Sequence, residues 1–321
     1  MRGIPRIVAA IVVATAATGA HAGTAWVSSE KDDAITLIDT ATLAVKGTLP
    51  TCKRGRHIQR LPDGQVMLAC TDSNAAEVFD AASGKSLRRV PLGDEPEAFD
   101  VSPDGRTIYV SNEDEAEASF VDARTGKVTK TIKVGQEPEG VKVSADGRTL
   151  YVTSEVASMV HVIDVAQGKV VKNVKVGKRP RRMAITPDGQ ELWVTNEMDA
   201  SVSIVSTATH EVVSTLKFEV RGARPEDITP VGITMTPDGR RAFVALGKAN
   251  HVAFVDVGTR KVTALALVGR RAWNVALDKA GQRLWVVNGL SDDVTVVDVA
   301  SAKAIKSIPV GRVPYGVLLV E

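Results

Sequence analysis

The sequence has few of the residues that most often build metal and haem centres. It contains only two cysteines, five histidines and six methionines. The cysteines do not form a C-x-x-C-H haem-attachment motif, and no His/Cys cluster has the spacing of zinc ligands. The histidines are scattered singly, and each is interpreted as an ordinary surface or strand residue. The sequence therefore predicts no cofactor and no metal site.

A surplus of charge of one sign is missing once the first 22 residues are set aside. Arg2 and Arg6 precede an apolar run, and Ala20-His21-Ala22 has the small-x-small pattern of a cleavage site. We expect residues 1–22 to be a cleaved signal peptide and the mature protein to be periplasmic. Cleavage brings the 40 basic residues down to the number of the 38 acidic ones. This balance argues against a nucleic-acid binder, and no later segment is apolar enough to span a bilayer.

Helical periodicity is also absent, and we expect no helix after residue 22. What is present is a three-residue phrase repeated seven times. It consists of a large apolar residue, a second residue that is usually Val, and a small residue that is usually polar. The copies begin at Trp26, Leu68, Tyr109, Tyr151, Trp193, Phe243 and Trp285. Successive copies are 41 or 42 residues apart, with one step of 50, which is the length of a four-stranded propeller blade. The seven large residues are interpreted as core between blades.

The repeats predict an all-β fold, a seven-bladed β-propeller of four-stranded antiparallel blades that forms one domain over residues 23–321. The chain enters with the second strand of a blade, at residues 25–29. The missing first strand of that blade must then be the last segment, residues 316–321. We therefore expect the C-terminal strand to complete the first blade and close the ring, which removes exposed sheet edges.

The two cysteines are candidates for a disulfide. Cys52 lies in the loop that enters blade two, and Cys70 lies near the end of the second strand of that blade. Both positions face the same rim, and a cysteine pair in an oxidising compartment is normally bonded. We predict a Cys52–Cys70 disulfide.

The strand phrases Leu192-Trp193-Val194-Thr195-Asn196 and Ile108-Tyr109-Val110-Ser111-Asn112 resemble the YVTN family of seven-bladed propellers. The resemblance covers residues 23–321. Within that family, the length, the leader and the plain blades are similar to propellers associated with PQQ-dependent alcohol catabolism. That resemblance implies a periplasmic protein without an assigned reaction, working beside a quinoprotein dehydrogenase or a small cytochrome c.

One position beside the channel departs from the repeat. It follows the proline, or its equivalent, at the start of each inner strand, on the face where propellers usually bind ligands. Around the ring it reads Arg56, Glu97, Glu139, Arg181, Val231, Trp273 and Tyr315. A position needed only for packing should repeat, so we predict that its charged and aromatic members bind a small planar anion or a partner protein. The alternative interpretation is a solvated rim with incidental charges.

Charge on this face is sorted into sectors. The basic loops contain Lys53, Arg54 and Arg56, and Lys178, Arg179, Arg181 and Arg182. The acidic sector between them contains Asp94, Glu95, Glu97, Glu113, Asp114, Glu115, Glu117, Glu137 and Glu139. Opposed fields of this kind steer a protein encounter or orient an anion. The acidic residues lack the regular spacing of a calcium loop and are interpreted as solvated.

Motifs of catalysis are missing. There is no G-x-S-x-G, no Gly-rich phosphate loop, and no His with a Ser and an acid at motif spacing. The favoured hypothesis is a non-enzymatic binding or scaffold propeller that is accessory to quinoprotein alcohol oxidation. The alternative is a propeller hydrolase or lactonase that uses acidic residues and a divalent metal at the channel mouth.

Overall fold

The computed structural model describes residues 23–321, so the predicted signal peptide lies outside the described residues. Over this range the chain forms 28 strands, arranged as seven four-stranded sheets. All paired strands within the sheets are antiparallel. The predicted seven-bladed β-propeller is confirmed.

Each blade is one sheet of four strands, which are numbered in chain order. Blade one comprises β1 (Thr24–Ser29), β2 (Ala34–Asp39), β3 (Val45–Pro50) and the C-terminal β28 (Pro314–Val320). Blades two and three comprise β4 (Gly55–Arg60), β5 (Val66–Cys70), β6 (Ala75–Phe79) and β7 (Ser86–Pro91), then β8 (Pro96–Val101), β9 (Thr107–Asn112), β10 (Glu117–Asp122) and β11 (Val128–Lys133). Blades four and five comprise β12 (Pro138–Val143), β13 (Thr149–Ser154), β14 (Met159–Asp164) and β15 (Lys169–Lys175), then β16 (Pro180–Ile185), β17 (Glu191–Asn196), β18 (Ser201–Ser206) and β19 (Val212–Lys217). Blades six and seven comprise β20 (Ile233–Met235), β21 (Arg241–Ala245), β22 (His251–Asp256) and β23 (Lys261–Leu267), then β24 (Ala272–Leu277), β25 (Arg283–Asn288), β26 (Asp293–Asp298) and β27 (Lys303–Pro309).

The two ends of the described chain close the ring. β28 pairs antiparallel with β1, with Leu318 opposite Trp26 and Val317 opposite Val27. The seven inner strands, β28, β4, β8, β12, β16, β20 and β24, contact one another in a complete circle. Closure by the C-terminal strand is confirmed, although that strand begins at Pro314, two residues before the expected start.

Three one-turn 3₁₀ helices lie in the loops, at Thr71–Ser73, Glu197–Asp199 and Pro225–Asp227. The expectation of no helix after residue 22 is wrong in this detail. A single turn closed by one or two hydrogen bonds is too short to leave a helical period in the sequence. None of the helices between residues 23 and 321 is long and apolar enough to cross a membrane.

The repeated large residues form the core between neighbouring blades, as predicted. Trp26, Trp193 and Trp285 are almost fully buried. Trp193 of blade five, for example, belongs to one cluster with Val244 and Val255 of blade six. One bulky side chain per blade fills the space that opens between twisted sheets.

Cys52 and Cys70 form the predicted disulfide, with their Cα atoms 5.7 Å apart. Both residues are buried. The amide of Cys52 donates to a carboxylate oxygen of Glu77 at 2.7 Å, so the loop that enters blade two is held at Cys52 by both a covalent bond and a hydrogen bond.

Candidate functional site at the channel mouth

Hydroxyl groups of the repeated phrase fix the backbone at the channel mouth. The hydroxyl on the second strand of one blade donates to a carbonyl on the inner strand of the next. The pairs are Ser28 to Arg56 at 2.7 Å, Ser111 to Glu139 at 2.9 Å, and Thr153 to Arg181 at 2.9 Å. The accepting carbonyls belong to the residues that vary around the ring. The repeat therefore places different side chains at equivalent points.

The loops that bring polar side chains to the mouth are also joined to one another. The residue two positions before each variable residue adopts left-handed backbone in six blades, including Glu137 (φ 51°) and Arg179 (φ 54°). Its carbonyl accepts a hydrogen bond from the backbone amide of the first residue in the loop between the second and third strands. The amide of Glu155 donates to Glu137 in this way, and that of Glu197 to Arg179, both at 2.9 Å. The first residue of this loop is a glutamate in four blades, at Glu30, Glu113, Glu155 and Glu197.

The variable residues meet at the mouth and are buried. Glu97 is 0%, Tyr315 2% and Arg181 5% exposed. The alternative of a solvated rim does not fit this burial. It is also wrong to interpret Glu97 and Glu139 as solvated acids, because seven inner strands converge here and exclude water from both carboxylates.

Tyr315 joins charged residues from three other blades. Its hydroxyl accepts from Arg56 at 3.2 Å and from Arg182, and it donates to Glu139 at 3.1 Å. Arg56 also pairs with Glu97, and its guanidinium lies 4.5 Å from the centroid of the Tyr315 ring. Burial raises the pKa of Tyr315 to about 12, against the opposing effect of the two arginines. Tyr315 is therefore a neutral phenol that both donates and accepts.

Arg181 is held by three carboxylates. It pairs with Glu155, with Glu139 at 3.6 Å and with Glu197 at 3.4 Å. Arg179 contacts Glu155 at 2.6 Å and Glu197 at 3.2 Å. Sequence reasoning missed Glu155 and Glu197, although Glu recurs at their position every 42 residues in three consecutive blades.

The pKa values of the two buried acids of the ring, Glu97 and Glu139, are shifted in opposite directions. Burial, together with the nearby Glu139 carboxylate, raises the pKa of Glu97 above its ordinary value. Burial acts in the same direction on Glu139, but the guanidinium groups of Arg181, Arg182 and Arg56 outweigh it and lower the pKa of that carboxyl. Positive charge is thus concentrated around Glu139 and insufficient around Glu97.

A cavity of about 430 Å³ opens at the mouth between blades five, six and seven, and we call it the mouth cavity. Its lining residues are Arg179, Arg181, Glu197, Met198, Pro225, Glu226, Ile228, Thr229, Lys248 and Arg271. Among residues 23–321, neither Lys248 nor Arg271 has a carboxylate oxygen within 4.0 Å. Arg271 also borders a neighbouring cavity of about 240 Å³, which Trp273 and Tyr315 line. Its guanidinium lies 4.6 Å from the Trp273 ring.

A third cavity, of about 210 Å³, lies further along the inner strands. Its polar residues already satisfy one another: Asp100 accepts from Gln59 at 3.0 Å and pairs with Lys142 at 2.9 Å. Burial lowers the pKa of His57 there to about 4, so this side chain is neutral at neutral pH. The mouth cavity has two cations that form no salt bridge with any described residue, and it is the stronger candidate for a ligand site.

Fold and site together define a seven-bladed β-propeller with a buried ionic network at its channel mouth. The chain belongs to the YNCE-like beta-propeller family, whose sequence model matches residues 4–190. The model of the seven-bladed beta-propeller lactonases matches residues 167–306. The narrower resemblance to propellers of PQQ-dependent catabolism stays a prediction.

Solved structures from several organisms share this fold. One is hydrazine synthase from Kuenenia stuttgartiensis, with 23% identity and a TM-score of 0.77 over 86% of this chain and 92% of that chain. Others are a functionally unknown protein from Desulfotomaculum acetoxidans (16% identity, TM-score 0.80, 93% and 99% covered) and a candidate 6-phosphogluconolactonase from Bacteroides uniformis (16%, 0.77, 93% and 99%). Likeness at these identities shows the fold alone. A search of curated proteins found no significant match.

Proposed function

We propose that the protein is a binding propeller that takes a small organic anion in the mouth cavity. The observation that carries this proposal is that Lys248 and Arg271 line a cavity of about 430 Å³ and form no salt bridge with any residue between 23 and 321. Cavities of roughly 300–1,000 Å³ are typical of small-molecule sites. The other two cations of the lining, Arg179 and Arg181, are already paired with glutamates.

Arg271 and Trp273 favour a flat ligand. Arg271 lines both cavities, and its guanidinium lies 4.6 Å from the centroid of the Trp273 ring, which lines the smaller one. A guanidinium can bind a carboxylate through two parallel hydrogen bonds, while a neighbouring aromatic ring packs against a planar group. A small organic acid with an unsaturated or ring-shaped body satisfies both features.

The proposed setting is the periplasm, beside a quinoprotein dehydrogenase or a cytochrome c. Support comes from the leader pattern in residues 1–22, from the resemblance to PQQ-associated propellers, and from the sorted charges around the mouth. Two successive two-electron oxidations of a primary alcohol, through the aldehyde, end in a carboxylic acid, which belongs to the ligand class proposed for the cavity. A purified quinoprotein dehydrogenase that shows no salt-dependent association with this protein contradicts the partner proposal.

Calorimetric titration with a panel of aliphatic and aromatic carboxylates tests the ligand proposal. We expect at least one acid to bind, with an affinity that falls as salt rises. Arg271→Ala and Lys248→Ala should each weaken binding about tenfold or more, the effect of losing a charged hydrogen bond. Arg270→Ala is the matched control, because Arg270 is exposed and does not line the cavity. Equal weakening by all three variants indicates general charge attraction and refutes the site.

A lactone hydrolase is the second candidate function. The segment that matches the lactonase model, residues 167–306, contains every lining residue of the mouth cavity. Hydrolysis adds water across the ring ester and yields a hydroxy acid, whose carboxylate Arg271 and Lys248 could bind. The lining holds two carboxylates, Glu197 and Glu226. We assign Glu197, which lies on blade five beside Arg179 and Arg181, as the group that accepts a proton from the attacking water. Proton release from simple lactones, followed with and without a chelator and compared with Glu197→Gln, tests this candidate and its metal dependence.

A further inference from the structure

We propose that Glu95, Glu97 and Glu113 of blade three bind a divalent cation of the calcium type. One oxygen atom from each of these carboxylates lies within 4.8 Å of the others. Calcium bonds oxygen at about 2.3–2.6 Å, so two ligand oxygens up to about 5 Å apart can share one ion. The three carboxylates are therefore close enough to coordinate a single cation without moving the backbone.

The state of Glu97 is the independent reason to place a ligand here. Glu97 is 0% exposed, and one of its oxygens is held by Arg56. The other oxygen, Oε2, has no hydrogen-bond partner among the described residues. The carboxylates of Glu139 and Glu113 lie close enough to act on Glu97 as like charges. A buried acceptor beside further acceptors costs several kcal/mol unless something positive lies between them.

Within residues 23–321, side-chain cations supply only part of that charge. Arg54 is 3.6 Å from Glu95 but is shared with Asp72 at 3.3 Å and Glu30 at 3.6 Å. Arg56 is likewise shared, with Glu30 at 3.6 Å and with the hydroxyl of Tyr315. Three carboxyl groups therefore face two arginines that are each shared with other partners, so the corner is short of positive charge. Because it offers only oxygen ligands, it suits a hard cation such as Ca²⁺ rather than zinc or copper.

This inference stands apart from the proposed anion site. None of the three glutamates lines the mouth cavity, so a cation can bind here whether or not an acid binds there. Its part in the fold would be to complete the ionic network on the side where Arg181 and Arg182 do not reach.

The test is calorimetric titration of chelator-treated full-length protein with CaCl₂, together with thermal melting. We expect one Ca²⁺ per chain, a dissociation constant on the order of 10⁻⁴–10⁻³ M as in sites with few ligands, and a melting temperature that rises with Ca²⁺. Glu113→Gln and Glu97→Gln should each weaken binding about tenfold or more. Glu115→Gln is the control, since Glu115 is exposed and lies in the same acidic sector outside the trio.

Three outcomes overturn the inference. One is the absence of stoichiometric Ca²⁺ binding up to about ten times the expected dissociation constant, which means that the neighbouring carboxyls share a proton instead. Another is an equal thermal shift with NaCl at matched ionic strength, which means screening without a site. The third is equal weakening by Glu115→Gln. Glu113 is only partly buried, so Glu113→Gln keeps the test decisive if Glu97→Gln fails to fold.

Discussion

Tyr315→Phe removes one oxygen atom from the centre of the ionic network. The hydroxyl makes three hydrogen bonds to ionised or ionisable partners, Arg56, Arg182 and Glu139, and the residue is 2% exposed. Hydrogen bonds to charged groups contribute about 1.5–3 kcal/mol each. The remaining Arg182–Glu139 ion pair, at 3.1 Å, offsets part of the loss. We therefore expect the free energy of unfolding to fall by about 3 kcal/mol.

Denaturant unfolding measures this change directly, and thermal melting provides a second reading. With an unfolding entropy of about 2.1 cal/mol/K per residue, a loss of about 3 kcal/mol lowers the melting temperature of a chain this long by about 5 °C. Tyr109→Phe is the matched control. Tyr109 is equally buried at its ring, 3% exposed, but its hydroxyl makes no hydrogen bond within residues 23–321, so we expect a change of about 0.5 kcal/mol or less. If both variants unfold alike, Tyr315 does not hold the network together and the reasoning fails.

Ring closure, the disulfide and the partly buried His57 each give a further prediction. Deleting residues 316–321 removes most of the strand that pairs with β1. We expect the truncated protein to aggregate in a solubility assay, because the deletion leaves an unpaired sheet edge. A soluble product with the melting temperature of the parent contradicts ring closure by β28. Replacing both Cys52 and Cys70 by Ser should lower the free energy of unfolding by about 3 kcal/mol, because the disulfide closes a loop with a sequence separation of 18; unchanged denaturant midpoints contradict this. Burial lowers the pKa of His57 from 6.5 to about 4 on folding. The free energy of unfolding should therefore be highest above pH 6.5 and fall as the pH is lowered toward 4. The free energy of His57→Gln should fall less over this range, and parallel pH profiles for the two proteins contradict the assignment.

The fold could be predicted from the sequence because each blade repeats the same physical requirement. One large residue must fill each gap between blades, so Trp26, Trp193 and their equivalents recur at a nearly constant interval. Closure followed from counting strands. The one-turn helices could not be predicted in this way, since a segment as short as Thr71–Ser73 has no period.

Only some residues of the candidate site could be predicted, because variation around the ring marks some of them and repetition hides others. Variation around the ring singled out Arg56, Glu97 and Tyr315, which the structure indeed brings together. Glu155 and Glu197 were missed because Glu repeats at their position, and a search for variation passes over a repeated residue. Burial of the charges depends on how closely the seven inner strands converge, which a linear sequence does not show.

The hydrogen bonds that hydroxyl groups donate from one blade to the next have an evolutionary consequence. Each bond is made to a backbone carbonyl, as from Thr153 to Arg181, and so it survives any substitution of the side chain at the accepting position. A lineage can therefore exchange the residues at the mouth without rebuilding the ring around them. Buried charges restrict that freedom, because a change at Arg56 leaves Glu97 unpaired unless both change together. Specificity in such propellers should accordingly diverge by paired substitutions between adjacent blades, and an engineered library should vary neighbouring mouth positions jointly.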